Sequence, residues 1–225
     1  VLPLCNMKSL IAGVVFALLA VVAIAQSPHK PVWPTQFASP FGFNMVLPPT
    51  HNASAMLYYN WKVKSQVVEY KEHCVPFLSL KSWFYPCKLY FNPAGIYAYQ
   101  PAAGMDCCLF VPNVGSIPPR FLDPFNFTNV EYANDMFGHP RSCNHWTGID
   151  GFAYWTDVRT EEDVQFKDGP TGVFWNFGEF IVEPQDPSIF QLPSDTCNKP
   201  CLGANAYAQQ LLQKTAQIFQ ERAHN

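Results

Sequence analysis

Charged side chains are scarce in this sequence. Asp, Glu, Lys and Arg make up 14% of the residues, whereas Phe, Trp and Tyr make up 16%. The basic residues are scattered singly, and a protein that binds nucleic acid needs clustered Lys and Arg to displace counterions from phosphates. The sequence therefore argues against a nucleic-acid partner and predicts a core rich in large apolar side chains.

Catalytic and metal-binding motifs are also missing. The sequence has no Gly-x-Ser-x-Gly elbow, no glycine-rich phosphate loop, no His-Glu-x-x-His helix and no Cys-x-x-Cys pair. The best remaining catalytic set is Cys143 with His139 or His145 and Asp150, but Cys143 is expected to be half of a disulfide. The acidic residues 161–163 are typical of a solvated turn rather than a calcium loop. We therefore predict a protein that is not an enzyme and needs no metal or cofactor.

Apolar runs are few, and the longest lies near the start of the sequence. It covers residues 10–25, follows Lys8 and ends in small residues before Gln26. A transmembrane helix needs roughly 20 apolar residues, whereas this order of basic, apolar and small residues is typical of a secretory signal peptide. We expect residues 1–25 to be leader and signal peptide, and the mature protein to be secreted and extracellular. The part before Met7 is expected to be untranslated leader or the product of an incomplete gene model.

The cysteines that follow the predicted signal peptide indicate disulfide bonds, because the secretory pathway is oxidising. The sequence leaves their pairing open, and one of the seven is either free or bonded to another chain. Adjacent residues on a strand point to opposite faces, so Cys107 and Cys108 are expected in different bridges. Cys143 and Cys197 flank the most aromatic segment, and we expect both to be bridged. The full set is Cys74, Cys87, Cys107, Cys108, Cys143, Cys197 and Cys201.

Two sequons mark sites for N-linked glycan. They begin at Asn52 and Asn126, and neither has proline at its middle position. A glycan must lie on the surface, so both positions are expected to be exposed.

The order of sequence patterns predicts one mainly β domain. Residues 26–55 carry many prolines, which indicate an extended arm, and residues 56–202 alternate apolar and polar side chains as half-buried strands do. Many short strands of this kind are typical of an antiparallel sandwich or a curved half-barrel. Residues 203–225 have apolar side chains at helical spacing and predict a C-terminal helix. Strands are predicted at residues 59–64, 67–70, 78–85, 88–91, 96–99, 107–111, 152–158 and 173–182.

Four motifs of the β domain resemble a known family. They are GSIPPRF at residues 115–121, CNHWTG at 143–148, YWTD at 154–157 and DPSIFQLP at 186–193. Together they are similar to the ependymin-related secreted proteins, including relatives described as development-specific larval proteins. The resemblance spans residues 56–197. It implies stacked or strongly curved antiparallel sheets around a deep apolar pocket, similar to bacterial lipoprotein carriers, and binding of lipid-like molecules outside cells.

An aromatic-rich sheet with few charges is consistent with such a pocket, because large apolar walls suit an apolar ligand. In residues 173–182, alternation places Trp175 and Phe177 on one face and Phe174 and Phe180 on the other. Gly178 is expected to leave room beside Phe174 and Phe180 for an acyl chain. The predicted ligand-binding residues are Trp146, Trp155, Phe174, Trp175, Phe177, Gly178 and Phe180.

The function predicted from the sequence is binding of a hydrophobic small molecule, such as a fatty acid or a sterol. Two other classes stay open. One is a structural glycoprotein of an extracellular matrix or coat that has no ligand, and the other is a non-catalytic domain associated with a papain-like protease. A homodimer is also compatible with the sequence. An enclosed apolar cavity would distinguish the first class from the second, because a packed sandwich uses the same residues.

Overall fold

The structure, a computed structural model, describes residues 27–44, 53–74, 84–169 and 172–202, and the single positions 206, 209, 210, 213 and 214. The described chain is mainly β. Its strands are β1 (Gln36–Asn44), β2 (Ala53–Asn60), β3 (Ser65–Tyr70), β4 (Cys87–Asn92), β5 (Gly95–Gln100), β6 (Met105–Pro112), β7 (Asn126–Asn134), β8 (Pro140–Thr147), β9 (Ala153–Asp157), β10 (Asp163–Lys167) and β11 (Phe174–Phe177). Short 3-10 turns lie at Trp61–Val63, Pro101–Ala103, Ile149–Gly151, Pro187–Phe190 and Asp195–Asn198.

These strands form one open antiparallel sheet of 11 strands, in the order β6-β5-β4-β3-β2-β1-β11-β10-β9-β8-β7. Strands β1 to β6 form one meander and β7 to β11 a second, and the two meet where β1 pairs with β11. Consecutive strands β6 and β7 therefore lie at opposite edges of the sheet. The segment that joins them, residues 113–125, is called the crossover below.

The mainly β, antiparallel class predicted from the sequence is confirmed, with a single sheet in place of the two sheets of a sandwich. Strands β4, β5, β6 and β9 match predicted strands within a few residues. Residues 61–63 form a 3-10 turn instead of continuing a strand, because β2 ends at Asn60, whose side chain caps the turn. The predicted strand at 78–85 lies mostly outside the described residues, as does the predicted C-terminal helix.

The proline-rich arm differs most from its prediction. Residues 36–44 are extended, as expected, but they form β1 in the middle of the sheet rather than an arm outside the β domain. Pro40 lies within this strand and faces Met56 of β2. Proline is normally excluded from central strands because it lacks an N–H donor. The β domain therefore begins before residue 56.

One face of the sheet, called the main face, carries the largest core. Its buried cluster takes side chains from β1 to β6 and from β8 to β11, and it also includes Trp33, Phe121, Leu122 and Phe125. The last three belong to the crossover, so the crossover runs over the main face. The main face is covered by irregular segments of the chain.

The opposite face carries two smaller clusters. Cys107 and Cys197 join Val67, Tyr90 and Tyr97 in the first. Ala133 of β7 and Val164 of β10 share the second with Trp155 and Cys143, although β8 and β9 separate those two strands in the sheet. This contact requires the sheet to curve at its β7 edge, so that β7 approaches β10.

Three disulfides fasten the first meander. Cys74 pairs with Cys87, Cys107 with Cys197 and Cys108 with Cys201. Adjacent Cys107 and Cys108 thus belong to different bridges, as predicted. Cys143 is free and buried, so the prediction that it would be bridged is wrong. Its side chain lies among Ala133, Trp155 and Val164 on the opposite face, in a cluster that holds no second cysteine.

The two edges of the sheet differ. The N–H of Leu109 on β6 donates to the Lys199 carbonyl, and the N–H of Cys201 donates to the Leu109 carbonyl, so the chain that follows residue 198 covers this edge. Strand β7 forms the other edge, and Val130 and Tyr132 on it are 52% and 79% exposed. The β6 edge is therefore covered at Leu109 by the protein's own backbone, whereas β7 presents apolar side chains to solvent.

Candidate functional site

One end of the main face is filled by the Trp33 cluster, which consists of Trp33, Phe37, Tyr59, Phe121, Phe177 and Phe180. The Trp33 ring meets those of Phe121 and Phe37 edge to face, with centroids 4.9 and 5.4 Å apart. Phe180 stacks on Phe37 at 4.2 Å. Edge-to-face and offset-stacked geometries are the favourable ones for aromatic rings, so this end of the face is tightly packed.

Hydrogen bonds hold the covering segments on the Trp33 cluster. The backbone N–H of Trp33 donates to the Pro119 carbonyl at 3.0 Å, which joins the N-terminal segment to the crossover. The Tyr59 hydroxyl donates to the Ile117 carbonyl at 2.8 Å, which joins the crossover to β2. Every polar group in these contacts is paired, as burial requires.

A partly buried carboxyl group, that of Asp163, lies below this cover. The indole N–H of Trp33 donates to the Tyr154 hydroxyl at 2.8 Å, and that hydroxyl donates to Asp163 Oδ1 at 2.8 Å. Burial raises the pKa of Asp163 to about 6, although the hydrogen bond from Tyr154 opposes the rise. Asp163 is therefore not the solvated turn residue expected from the sequence but the end of a hydrogen-bonded chain.

The other end of the main face carries the Trp175 cluster, which consists of Phe41, Phe43, Tyr70 and Trp175. The ring of Tyr70 meets that of Phe43 edge to face at 5.2 Å, and Trp175 lies 5.2 Å from Phe41 and 6.0 Å from Phe43. Phe41, Phe43 and Tyr70 are buried, but Trp175 is only partly buried. Apolar walls therefore reach solvent at Trp175.

The structure divides the predicted ligand-binding residues between the two faces. Trp146, Trp175, Phe177 and Phe180 belong to the main face, and Trp155 and Phe174 belong to the opposite face. Phe180 was expected to share a face with Phe174, but β11 ends at Phe177 and the chain leaves the regular pleat beyond it. The alternation is lost there, and Phe180 turns onto the Trp33 cluster.

Gly178 does not provide the predicted space. A Cβ atom on Gly178 would lie 2.6 Å from Met136 Sδ, 2.9 Å from Pro40 Cγ and 3.0 Å from the Pro40 carbonyl oxygen. These distances are shorter than the normal van der Waals separations between a Cβ atom and sulfur, carbon or oxygen. Glycine at this position therefore allows Met136 and Pro40 to pack directly against the backbone. The expectation of an acyl-chain channel beside Gly178 is wrong, since Met136 and Pro40 already fill that position.

The side chains of His145 and Glu131 form a polar pair beside Trp155 on the opposite face. The His145 ring stacks on Trp155 with centroids 4.7 Å apart, and Glu131 Oε1 lies 3.2 Å from His145 Nδ1. The indole N–H of Trp155 donates to the same Glu131 oxygen at 2.7 Å. Burial lowers the pKa of His145, although Glu131 opposes that change. Trp155 is thus held by a carboxylate and an imidazole rather than turned toward a pocket.

Cys143 lacks the features of a catalytic thiol. Burial raises its pKa to about 11, so the thiol keeps its proton at neutral pH, whereas nucleophilic cysteines have lowered pKa values. Its Sγ lies 3.4 Å from the Arg141 carbonyl oxygen. His139 pairs with Asp135, and Asp150 is exposed in a 3-10 turn. The residues suggested for a thiol enzyme are therefore engaged elsewhere.

Sequence reasoning missed several residues of both clusters. Trp33, Phe37, Phe41 and Phe43 lie in the segment that its prolines had marked as an arm, although Phe37, Phe41 and Phe43 occupy alternating positions. That period of two was the available signal. Tyr70 was placed on a strand, but nothing local in the sequence relates it to Trp175.

Of the two predicted glycosylation sites, Asn126 is exposed at the first residue of β7, and Asn52 lies outside the described residues. The part of the chain that the structure describes has no helix with the length and apolarity to cross a membrane. Three disulfides are typical of proteins from an oxidising compartment.

Two solved structures are distantly similar to this chain. An uncharacterized conserved protein from Thermus thermophilus aligns with 10% identity and a TM-score of 0.43, over 72% of this chain and 88% of that chain. A LolA superfamily protein from Nitrosomonas europaea aligns with 8% identity and a TM-score of 0.35, over 71% of this chain and 92% of that chain. No curated protein matches.

The resemblance to ependymin-related proteins is not tested by these comparisons and stays a prediction. A family model does match most of the β domain. It covers residues 32–187, which begin one residue before Trp33 and include all eleven strands of the sheet. The chain belongs to the family described as domain of unknown function DUF8395.

Proposed function

We propose that this protein binds an apolar small molecule on the main face of its sheet. The observation that carries the proposal is the cover of that face. Strands of both meanders contribute aromatic side chains to this face. The N-terminal segment and the crossover cover these side chains, and no second sheet packs on them in the described part of the chain. Irregular segments open more readily than paired strands, and an apolar interior behind such a cover suits a hydrophobic ligand.

The Trp175 cluster is the proposed position of the ligand. The Trp33 cluster is packed by its own side chains, whereas Trp175 is partly exposed beside buried Phe41 and Phe43. Each methylene group buried against such rings contributes about 0.8 kcal/mol, so roughly ten of them outweigh a typical association cost of several kcal/mol. A long-chain ligand therefore fits the proposal better than a small one.

We further propose that the protein acts outside the cell. The arrangement of residues 1–25 as a signal peptide and the three disulfides both support export. A hydrophobic ligand in an aqueous extracellular medium needs a carrier that shields it, and a fatty acid or a sterol is a suitable cargo. A dimer through the exposed β7 edge is compatible with this role, because the main face at Trp175 belongs to other strands.

A structural role without ligand is the second candidate, and the Trp33 cluster favours it. Rings stacked at 4.2 Å and hydrogen-bonded cover segments are what a permanently packed core shows. In that case the Trp175 cluster is simply the outer end of the same core. The two functions differ in one measurable property, which is saturable uptake of an apolar probe.

Binding is tested with the disulfide-bonded protein purified from a secretory host. A fluorescent long-chain fatty acid and a fluorescent sterol are titrated, and energy transfer from tryptophan is recorded. We expect saturable binding of at least one probe, with energy transfer that falls strongly in Trp175→Phe. Trp155→Phe is the matched control, because Trp155 lies on the opposite face and should change the signal little. Absence of saturable uptake of either probe would favour the structural role.

A further inference from the structure

Among the residues that the structure describes, the hydroxyl group of Tyr70 is buried and has no hydrogen-bond partner. Tyr70 is 1% exposed and lies at the end of β3, where it faces Ala55 of β2 and Cys87 of β4. Leaving a buried hydroxyl unpaired costs about 1–3 kcal/mol, so such groups are rare and call for a physical reason. Tyr59 and Tyr154 on the same face both donate their hydroxyls to protein oxygens.

The surroundings of Tyr70 define which partner its hydroxyl can take. Its ring packs against Phe43 at 5.2 Å, Phe41 at 6.3 Å and Trp175 at 6.4 Å, all of which are uncharged. Burial raises the pKa of Tyr70 well above its ordinary value, so the hydroxyl stays protonated and can act as a donor. This O–H donor has no acceptor among the described residues, so a ligand that supplies an acceptor would satisfy it.

The acceptor is better neutral than charged. Moving a carboxylate into an apolar site is costly unless a cation or several donors compensate it. Among the described rings that contact Tyr70 there is no cation, and the indole N–H of Trp175 is the one further donor. A carbonyl oxygen needs only one donor and loses little by leaving water. The site thus suits the ester or ketone group of a neutral lipid better than the head group of a free fatty acid.

We propose that Tyr70 is the polar anchor of the apolar site, donating a hydrogen bond to a carbonyl oxygen of a neutral long-chain ester or ketone that lies along Phe41, Phe43 and Trp175. The inference rests on the proposed function and narrows it to a ligand class. The rings select for apolar length, and the hydroxyl selects for one oxygen acceptor and fixes where along the chain it lies.

The experiment compares two competitors of equal length. A saturating neutral probe, N-phenyl-1-naphthylamine, is displaced from the disulfide-bonded protein by a long-chain methyl ketone or by the alkane with the same number of carbons, both delivered from cyclodextrin. The wild-type protein should bind the ketone about tenfold more tightly than the alkane, because only the ketone satisfies Tyr70. Tyr70→Phe should weaken ketone binding by about tenfold and leave alkane binding unchanged.

Tyr59→Phe is the matched control. It also removes one hydroxyl from the main face, but that hydroxyl already donates to Ile117. It should lower the urea midpoint of the ligand-free protein and keep the ketone-to-alkane ratio. Tyr70→Phe should keep or raise that midpoint, since it removes an unpaired group, and this shows that the variant is folded.

The outcomes separate the two proposals. Binding of both competitors with a ratio that Tyr70→Phe does not alter would overturn the anchor and retain the binding function. Equal weakening of ketone and alkane would show that Tyr70 only shapes the wall, and the anchor would again be wrong. Failure of the wild-type protein to bind the probe or either competitor would overturn the binding function, and the anchor with it.

Discussion

Pro40 of β1 lies opposite Gly178, and its carbonyl accepts a hydrogen bond from the Gly178 N–H at 2.7 Å. In a regular ladder the Gly178 carbonyl would receive the N–H of the residue that Pro40 replaces. The Ser39 hydroxyl lies 3.3 Å from that carbonyl and 3.1 Å from the Pro40 carbonyl, and its one proton is shared between these two acceptors. A proline is thus accommodated in a central strand because a neighbouring side chain supplies the missing donor and a glycine permits close approach.

Substitution of Gly178 should destabilise the fold. Gly178→Ala places a Cβ against the backbone and ring of Pro40, neither of which can move aside, and we expect a loss of about 1–3 kcal/mol in urea unfolding. Ser39→Ala should cost about 1 kcal/mol by leaving the Gly178 carbonyl unpaired. Gly178→Leu should therefore unfold the protein rather than reduce ligand binding alone. An unchanged midpoint in Gly178→Ala would show that the close approach is absent in solution.

Stability should fall as the pH rises through the range in which Asp163 ionises. Burial raises the pKa of Asp163 from 3.8 to about 6 in the folded chain, so between these values the folded state binds more protons than the unfolded state. The free energy of unfolding then decreases with pH, by on the order of 3 kcal/mol in total, and the decrease is complete about one pH unit above the folded pKa, at about pH 7.

The matched variant for this pH effect is Asp163→Asn, which keeps an acceptor for Tyr154 and cannot ionise. It should be more stable than the wild-type protein at pH 7.5 and about equal to it at pH 4. Urea midpoints at both pH values give the comparison. A wild-type protein whose stability rises between pH 4 and pH 6, with no difference from the variant, would contradict the raised pKa.

The two bridges of β6 should be redundant. Cys107–Cys197 and Cys108–Cys201 close loops with sequence separations of 90 and 93, so either bridge alone removes most of the same chain entropy from the unfolded state. The double variant Cys108→Ala/Cys201→Ala should lose less than about 2 kcal/mol. Removal of all four cysteines should lose about 5 kcal/mol, which is more than the sum of the losses from removing each bridge alone. Additive losses measured by urea unfolding would contradict redundancy.

Cys143 should react only after unfolding. Its thiol is buried and protonated, so a disulfide reagent at pH 8 should label less than one thiol per chain within minutes and one thiol after denaturation. Mass spectrometry of alkylated peptides identifies the labelled residue. Cys143→Ala should abolish the signal in denaturant. Rapid labelling of the folded protein would show that the residue is exposed or paired differently.

Glycan on Asn126 should keep the β7 edge free. The residue is exposed at the start of that edge strand, and a glycan there obstructs pairing with another strand. Protein from a secretory host should lose one glycan in Asn126→Gln, as seen by mass, and should then dimerise more readily in light scattering. Thr128→Val, which removes the same sequon without altering Asn126, should behave alike. An unchanged mass in both variants would show that the site is unused.

The sequence correctly predicted those features that depend only on residues close together in the chain, such as the face of a strand on which a side chain lies. Alternation placed Cys107 and Cys108 on opposite faces and separated Trp155 from Tyr154, because a strand repeats every two residues. It failed where a distant contact overrides a local rule. Pro40 was assigned to an arm because the Ser39 contact with Gly178 cannot be read locally, and Phe180 was assigned to the wrong face because the end of β11 is not marked.

For the candidate site, the sequence predicted the type of residue but not which residues come together. Aromatic abundance indicated an apolar wall, and Trp175 was among the residues named. The cluster around it joins β1, β3 and β11, which are distant in sequence, so its membership follows from strand order. The sequence could not single out Tyr70, because whether a tyrosine hydroxyl has a hydrogen-bond partner depends on how the residues around it pack.

The arrangement of the two meanders has a kinetic consequence. Within each meander every strand pairs with its neighbour in sequence, so those pairings form over short loops. The β1–β11 seam instead joins residues such as Ser39 and Gly178, which are 139 positions apart. Closing so long a loop costs entropy before its contacts repay it, so the seam assembles after the meanders. Defects at Pro40 or Gly178 should consequently accelerate unfolding more than they slow refolding.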